Sequence, residues 1–437
     1  MTFMRSLSSR TNFLSITAVT TFSMLSAVHL QARSQVFTLE SLIEMGQSIS
    51  LSIEGAKAQS QAARAALTTA QTYPNPEIDF NTGPFRPTTV GSQLGGASGS
   101  GYGAAIAQRI ENPSLRQARS SVAQTNIRST DLNLVVLQND ISALIKVRYF
   151  EVLKRGEELA AAKEELQLTE QIRERIRVRT STGESPRFDL IRASTEVALA
   201  TKEVERITAR LSESRALLQQ AVGTALPDSF QTTGDFYRKI PTADLNQIRA
   251  SALTSNPVIK KSEVDATRAR QQIELEQRSI MPSVSLRLMQ DREPEISSTR
   301  LGISLAIPLW DKRKGPIDEA RALAVKADLE TQQRRFELNQ ALSAGWQQYQ
   351  SALKTVQAYE GVGASVGGAS GILTQAKTVV DIAEAAYRFG ERGILEYLDA
   401  RRQFRLARGE LINARFDLHV AAAELERLAA QELRSIE

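Results

Sequence analysis

The 437-residue sequence contains no cysteine, which excludes disulfide bonds, thiolate metal sites and a lipid-modified cysteine. Histidine is nearly absent: the chain has only His29 and His419. No group of histidine and methionine residues has metal-ligand spacing, and the many carboxylates lie on predicted helix surfaces. The sequence therefore predicts no metal site, no cofactor and no catalytic centre, and His419, in an apolar stretch, is expected to be structural.

Aromatic residues are also few, at 5%, whereas charged residues reach 24%. This ratio is more typical of coiled coils than of the core of a globular enzyme. The net charge of +5 is modest and arises from basic and acidic residues that alternate along helical faces. Because no aromatic residues are interleaved with the basic ones, nucleic acid is not an expected partner.

Long hydrophobic runs are missing except at the N-terminus. Arg5 and Arg10 precede an apolar stretch at 13–28, and Leu30-Gln31-Ala32 offers a cleavage site, so residues 1–32 are predicted to be a signal peptide. An uncleaved membrane anchor is the alternative, although the stretch is short for a membrane span. Any further membrane crossing would have to be made by β-strands.

The chain contains an internal duplication, with predicted repeats at 33–230 and 231–437. Gly183 is followed after ten residues by Ala193, and Gly390 after the same interval by Ala400. Each glycine is followed by apolar residues at a seven-residue period, which indicates two coiled-coil arms. These positions are Leu190, Val197, Val204, Leu211 and Leu218 in the first repeat, and Tyr397, Phe404, Leu411, Leu418 and Leu425 in the second.

Each repeat opens with a predicted helix, at 39–72 and at 245–279, which ends where a proline follows. The hydrophobic period then changes from 3.6 to 2, which predicts strands. Their expected ranges are 76–84, 102–110, 282–290 and 298–309, the length of outer-membrane strands. A one-sided soluble hairpin would alternate in the same way, but the aromatic residues near the strand ends favour a membrane belt. Those residues are Tyr73, Phe85, Tyr102 and Trp310.

Four strands cannot close a barrel, which requires about eight, so the membrane interpretation demands an oligomer. The glycine-rich stretch at 95–103 is not followed by a helix, and we interpret it as a loop between strands rather than a dinucleotide site. A predicted helix at 113–179 is about 100 Å long, which matches the summed length of the two shorter helices of that repeat. The second repeat continues as helix over 316–389, and about seven extra residues at 361–368 leave helix and break as alternatives there.

The repeated helix-strand-strand-helix-helix plan resembles the TolC family of bacterial outer-membrane efflux channels. The most specific motif, from Tyr387 to Ala400, is similar to that family's second hairpin and to the heavy-metal branch typified by CzcC and CusC. The resemblance implies a mainly α fold with membrane β-strands. It further implies a homotrimer in the outer membrane, with one 12-stranded β-barrel and a long periplasmic α-helical coiled-coil barrel.

The same resemblance implies a passive exit channel of a tripartite efflux system that conducts metal cations or small toxic compounds. A periplasmic adaptor and an inner-membrane pump of the resistance-nodulation-division type would be its partners, together with outer-membrane lipid. Three departures leave the substrate and subfamily open. They are the missing lipid-attachment cysteine, the extra residues at 361–368, and Ser52-Ile-Glu-Gly where the second repeat has Asn256-Pro257.

The family resemblance also implies a gate at the periplasmic end, where Gly183 and Gly390 would form the hairpin tips. Glu396 and Asp399 lie one helical turn apart and would form an acidic ring at the entrance. Tyr387, Arg392 and Asp189 would lock the closed state. The alternatives are solvated carboxylates for Glu396 and Asp399, and ordinary pairing on a helix surface for the three lock residues.

Two other classes of protein share some of these sequence features. A periplasmic adaptor also has a helical hairpin, but normally one hairpin flanked by β-rich domains, whereas this chain has two hairpins and few strands. A structural coiled-coil protein of the cell envelope would explain the heptads, but neither the period-2 segments nor the signal peptide.

Overall fold

The computed structural model describes residues 35–85, 98–224, 226–227, 229–240, 244–361 and 370–433. The predicted signal peptide at 1–32, most of the loop between the first two predicted strands and the segment at 362–369 lie outside these ranges. Within them, no helix is both long and apolar enough to cross a bilayer.

Both halves of the chain contain the same succession of helices and strands, except that three helices follow the strand pair in the second half and two in the first. The first half contains β1 (Gln35–Phe37), α1 (Leu39–Ile49), α2 (Leu51–Gln71), β2 (Glu77–Phe85), β3 (Gly99–Ile110), α3 (Pro113–Ser181) and α4 (Arg187–Val222). The second contains β4 (Phe230–Thr232), α5 (Leu245–Ser255), α6 (Pro257–Arg278), β5 (Val284–Arg292), β6 (Ser297–Leu305), α7 (Lys314–Glu360), α8 (Ile372–Arg388) and α9 (Ile394–Ala429).

Each repeat opens with a kinked pair of helices, not with the single helix predicted at 39–72 and at 245–279. The break lies at Ser50 in the first repeat and at Asn256 in the second, where the backbone is extended, with ψ of 127° and 124°. Pro257 explains the second break, because the residue before a proline avoids helical ψ. Since α1 and α5 are both 11 residues long, Ser50, and not Ser52, is the structural equivalent of Asn256.

The helix predicted at 316–389 is not continuous in the described residues, while nearly all of the segment 361–368, where helix and break were the alternatives, lies outside them. Helix α7 ends at Glu360, and Gly361 takes a left-handed φ of 78° that ends helical hydrogen bonding. Helix α8 begins at Ile372. The two ends lie close together, since a Cβ on Gly371 would be 2.4 Å from the carbonyl oxygen of Tyr359.

Helix α3 is the central strut of the molecule. It packs against α2 and α6, and against α4 and α9. Hydrogen bonds cross between the repeats where α3 meets α6: the Ser129 hydroxyl donates to Asp265 at 2.6 Å, and the Thr125 hydroxyl to Gln271 at 2.7 Å. As the helix lengths suggested, the shorter helices line α3 along its whole extent.

A four-stranded antiparallel sheet, in the order β2-β3-β5-β6, extends from one end of the helices. Ile78, Ile106, Leu288 and Leu301 lie side by side across all four strands, and all four are exposed. The next row is on the opposite face and includes Asp79 and Arg300. The sheet thus has one exposed apolar face and one polar face. Compared with the predicted ranges, β3 begins three residues earlier and β6 ends at Leu305.

The polar face contains one ion pair that spans β3, from β5 to β2, and one between the neighbouring strands β5 and β6. Arg287 pairs with Asp79 at 3.4 Å, and Arg300 pairs with Asp291. Two strands, β2 and β6, form the edges of this sheet and have a neighbour on one side only. An edge with unpaired backbone groups is a template for pairing with another strand.

Buried heptad positions hold the helical hairpins together. In α4 they include Val197, Leu211 and Leu218, and in α9 Tyr397, Leu411 and Leu425. Leu190, Val204 and Phe404 are only half-buried. The two arms predicted from the seven-residue period are thus the packed faces of α4 and α9.

The waist of the molecule, where β1 pairs in parallel with β4, joins the two repeats. Tyr149 of α3 donates a hydrogen bond from its hydroxyl to the carbonyl oxygen of Thr233 at 2.6 Å. The His419 ring of α9 stacks on Phe150 with centroids 3.8 Å apart, and its Nε2 donates to the carbonyl oxygen of Phe236 at 2.9 Å. His419 is 3% exposed, so it is fully buried in a structural position.

Candidate functional site

The two hairpin tips have the same backbone construction. Gly183 follows α3 with φ of 83°, and Gly390 follows α8 with φ of 75°. After each glycine a backbone N–H returns to a carbonyl five residues earlier: Glu184 bonds to Arg179 at 2.8 Å, and Glu391 to Ala386 at 3.0 Å. Glycine is required because a side chain is strained at this φ, and the returning bonds satisfy carbonyls at the helix ends.

The tips of both hairpins share one apolar core, which brings α3, α4, α8 and α9 together. We call these residues the tip cluster: Ile172, Ile176, Ala193, Val380, Ile394, Tyr397 and Ala400. The Tyr397 phenol is 2% exposed, and burial raises its pKa, so it is neutral at physiological pH. The two hairpins can therefore not separate at this end without exposing apolar surface.

Glu396 and Asp399 lie in the first turns of α9, and both are exposed. Glu396 is not a free carboxylate, because the Arg392 guanidinium lies 3.1 Å from it. Both side chains of this pair are more than half exposed, so the pair contributes at most about 1 kcal/mol. Asp399 makes no ion pair with any other described residue. The two carboxylates share one helix face but differ in their neighbours.

The three predicted lock residues do not meet within one chain. Asp189 accepts a hydrogen bond from the hydroxyl of Ser185 at 2.8 Å, and Arg392 is paired with Glu396. Tyr387 is partly buried and packs against the tip cluster. Its ring is parallel to the Tyr397 ring, with centroids 6.1 Å apart. Among the described residues, neither Tyr387 nor Arg392 bonds to Asp189. A lock made from all three would have to form between copies.

The structure reveals a second set of contacts at the tips, which joins the first hairpin to the second within one chain. We call it the inter-hairpin contact: the Arg179 guanidinium lies 5.5 Å from the centroid of the Tyr387 ring, and Arg175 lies 3.9 Å from Glu384. Sequence reasoning missed Arg175, Arg179 and Glu384. One available signal was the position of Arg179 in the last turn of α3, where a cation is favoured.

Above the tips, ion pairs connect α9 to α3. Arg401 pairs with Glu165, and both side chains are less than one-fifth exposed. Arg408 lies 2.6 Å from Glu164, and its hydrogen bond holds the pKa of that carboxyl below the usual range. These pairs fix how the second hairpin is aligned along the first. Within the described ranges no cluster of three or more histidine, aspartate or glutamate residues is arranged to hold a metal ion.

Comparison with known proteins gives one family match and several relatives of similar length. Residues 248–431 match the model of the family described as outer membrane efflux protein. The cobalt-zinc-cadmium resistance protein CzcC of Cupriavidus metallidurans is 22% identical over 393 residues, which cover 90% of this chain and 89% of CzcC. The alignment with this resistance protein thus extends well beyond the segment that matches the family model.

Solved structures agree with the fold. The outer membrane protein VceC of Vibrio cholerae superimposes with a TM-score of 0.74 at 15% identity, covering 91% of this chain and 97% of that one. The channel-forming protein CusC gives a TM-score of 0.72 at 17% identity, covering 90% and 91%. The helix and sheet arrangement described above is therefore the fold of these outer-membrane channels.

Proposed function

We propose that this chain, a member of the TolC family of outer membrane efflux proteins, is the passive exit channel of a tripartite efflux system. It is an outer-membrane protein whose helices extend into the periplasm. In this proposal it has no catalytic activity, and its transport is driven by a partner.

The observation that supports the proposal most strongly is the four-stranded sheet. One face presents Ile78, Phe80, Leu301 and Ile303, each more than 70% exposed, as a surface suited to lipid. The other face is polar and suited to a water-filled lumen. Both edges are open, and four strands are too few for a barrel. Three copies would join β6 of one to β2 of the next and close twelve strands around one pore.

The helical hairpins would continue this pore into the periplasm. Three copies of α3, α4, α8 and α9 around one axis would place six hairpins at the entrance, with the tips at Gly183 and Gly390 farthest from the membrane. The exposed Glu396 and Asp399 would then form a ring of six carboxylates that attracts cations. Tyr387, Arg392 and Asp189 would form the lock between neighbouring copies.

A periplasmic adaptor and an inner-membrane pump of the resistance-nodulation-division type would dock at this end and open it. The similarity to CzcC supports metal cations as cargo, because CzcC is a cobalt-zinc-cadmium resistance protein. Small toxic compounds are the other cargo class. In either case the channel would conduct cargo without a ligand site of its own, and the pump would determine specificity.

The proposal is tested by purification from the outer-membrane fraction and reconstitution into planar lipid bilayers. We expect trimers that survive mild detergent and dissociate on heating, and single-channel conductance that appears only after protein is added. A water-soluble monomer without conductance would contradict the proposal and would favour an adaptor or a structural coiled-coil protein.

The entrance ring has its own test. Replacing Glu396 and Asp399 by glutamine and asparagine removes six charges per trimer, and we expect the preference for cations over anions to fall severalfold in reversal-potential measurements. Glu205→Gln is the matched control, because Glu205 is an exposed acid of α4 several turns from the tips. Equal selectivity in all three proteins would show that the two carboxylates are merely solvated.

The lock is tested by conductance at the same voltage. Asp189→Ala and Arg392→Ser each remove one side of the bonds that hold neighbouring copies together. We expect both variants to open more often than the unmodified channel without a partner protein present. Unchanged opening in both would leave ordinary surface pairing as the role of these residues.

A further inference from the structure

The connection between the last membrane strand and helix α7 is unusually apolar for an exposed loop. We call residues 306–313 the junction loop. Ile307, Leu309 and Trp310 are 64%, 62% and 92% exposed. The apolar character of β6 thus continues past its last residue, Leu305, although the chain turns there: the backbone N–H of Leu309 donates to the carbonyl oxygen of Ile307 at 2.9 Å. Trp310 is the residue after Leu309, and it lies in the connection between the sheet and helix α7.

The junction loop is held in place by its own polar contacts. The Asp311 carboxylate accepts a hydrogen bond from the backbone N–H of Arg313 at 2.8 Å. Arg313 takes a left-handed φ of 52°, and its guanidinium turns inward to pair with Glu276 of α6. Because Arg313 points inward, the flanking Lys312 and Lys314 remain exposed, and neither ammonium has an acidic partner within ion-pair distance in the described part of the chain.

The first repeat has no such loop, although it needs the same connection. There β3 ends at Ile110 and α3 begins at Pro113, so only Glu111 and Asn112 lie between. Glu111 is an acid, and it is bound to Arg119 at 2.7 Å. The fold therefore does not require an exposed tryptophan between the sheet and the helices, and the aromatic and basic groups of the second repeat call for a different explanation.

We propose that the junction loop is a binding site for the headgroup of an anionic phospholipid in the periplasmic leaflet of the outer membrane. Trp310 and Leu309 lie among the glycerol and upper acyl groups, and the ammonium groups of Lys312 and Lys314 bind the phosphate. Indole rings favour the interface between lipid and water, and lysines near a membrane surface attract anionic lipid. The inference rests on the proposed function in one respect, namely that the sheet lies in the outer membrane.

The chain offers a clean reporter for this site, because it contains only two tryptophans. Trp346 packs in the helical core against Tyr349, with ring centroids 5.6 Å apart, so Trp346→Phe preserves an aromatic ring there and leaves Trp310 as the sole tryptophan. This variant is reconstituted into phosphatidylethanolamine vesicles that contain brominated phosphatidylglycerol or, at equal mole fraction, brominated phosphatidylcholine. Bromine quenches indole fluorescence only on contact.

We expect quenching by both lipids, and about threefold stronger quenching by the anionic one. Replacing Lys312 and Lys314 by glutamine should abolish the difference while leaving the quenching by phosphatidylcholine unchanged. Lys326→Gln is the matched control, because Lys326 is an exposed lysine farther along α7 that pairs with Glu330 at 3.6 Å. This control should retain the preference for phosphatidylglycerol.

Two results would overturn the inference. If neither brominated lipid quenches the fluorescence of Trp310, the indole is covered by protein, for example by a neighbouring copy. If the two lipids quench equally, and the lysine replacements do not change the quenching, no headgroup is bound. Conductance measured on the same preparation separates these results from failure of the proposed function, since a conducting channel without selective quenching refutes the lipid site alone.

Discussion

At the scale of single residues, two glycines of the first helical pair have opposite surroundings. A Cβ on Gly46 of α1 would lie 2.3 Å from Cδ1 of Ile145, which is completely buried, whereas a Cβ on Gly55 of α2 would meet nothing within 4 Å. Alanine in place of a helical glycine normally stabilises by about 1 kcal/mol. Overpacking a filled core costs about 1–3 kcal/mol.

We therefore predict that Gly46→Ala destabilises the protein by about 1 kcal/mol net, whereas Gly55→Ala stabilises it by about 0.5–1 kcal/mol. Thermal unfolding of the detergent-solubilised protein, followed by circular dichroism, measures both. Equal shifts in the same direction for the two variants would mean that Ile145 moves aside freely.

His419 makes the waist sensitive to acid. Burial lowers its pKa from the ordinary value of 6.5 to about 4, because the protonated ring would lose hydration next to Phe150. The unfolded chain takes up the proton at higher pH than the folded one does. The stabilising effect of the neutral ring is thus complete above about pH 6.5 and is lost as the pH falls toward 4.

The predicted loss between pH 7 and pH 4 is up to about 3 kcal/mol, from a pKa shift of this size. Unfolding midpoints of the wild type and of His419→Gln across this range measure it, since glutamine can still donate to the carbonyl of Phe236 but does not titrate. Parallel pH curves for the two proteins would assign the acid sensitivity to other groups.

At the scale of helices, the two kinks are equivalent in backbone but not in chemistry. Asn256 is 4% exposed; its amide donates to the carbonyl of Leu428 at 2.7 Å, and its side-chain oxygen accepts the N–H of Val258 at 2.8 Å. Ser50 makes no capping bond with its side chain. One kink is thus fastened to α9, and the other is not.

Asn256→Ala should destabilise the protein by about 2–3 kcal/mol, because a helix cap is lost and a buried carbonyl is left without its partner. Ser50→Ala is the matched substitution in the other repeat and should change stability by less than about 0.5 kcal/mol. Unfolding in denaturant compares the two. A small effect at both positions would show that packing alone maintains the kinks.

The hydrophobic periods predicted helices and strands well because burial on one face is a local property of the sequence. The alternation at Val284, Leu286 and Leu288 became one face of β5, and the seven-residue period became the packed faces of α4 and α9. Kinks escaped prediction where nothing local marks them, as at Ser50. The break after Glu360 was left open because seven extra residues keep the heptad phase whether or not they are helical.

At the scale of the whole molecule, the hairpins are held together by contacts between residues far apart in sequence. Arg179 and Tyr387 are separated by more than two hundred positions, and no periodicity connects them. The motif around Gly390 pointed to Tyr387 through resemblance alone, and it assigned a partner, Asp189, that lies elsewhere in the single chain. Which arginine meets which aromatic ring depends on the packing of four helices at once.

If the inter-hairpin contact restrains opening, Arg179→Ala and Tyr387→Ala should each raise the open probability, and their combination should add little more. The expected coupling is about 0.5–1 kcal/mol, the usual strength of an exposed cation–π pair. Single-channel recordings of the unmodified channel, the two single variants and the double variant complete a double-mutant cycle. Arg206→Ala serves as control, because Arg206 pairs with Glu203 on its own helix. Fully additive effects on the open probability would show that the two residues do not act through a shared contact.

The pairing of β1 with β4 places residue 35 at the waist of the molecule. Tyr149, which is bound to the residue after β4, lies ten turns along α3 from Pro113, a distance of about 50 Å. An acyl group or fluorophore attached before β1 would thus start about 50 Å from the bilayer and would need an extended tether of about 15 residues to reach it. A probe at that position would instead report on the middle of the periplasm.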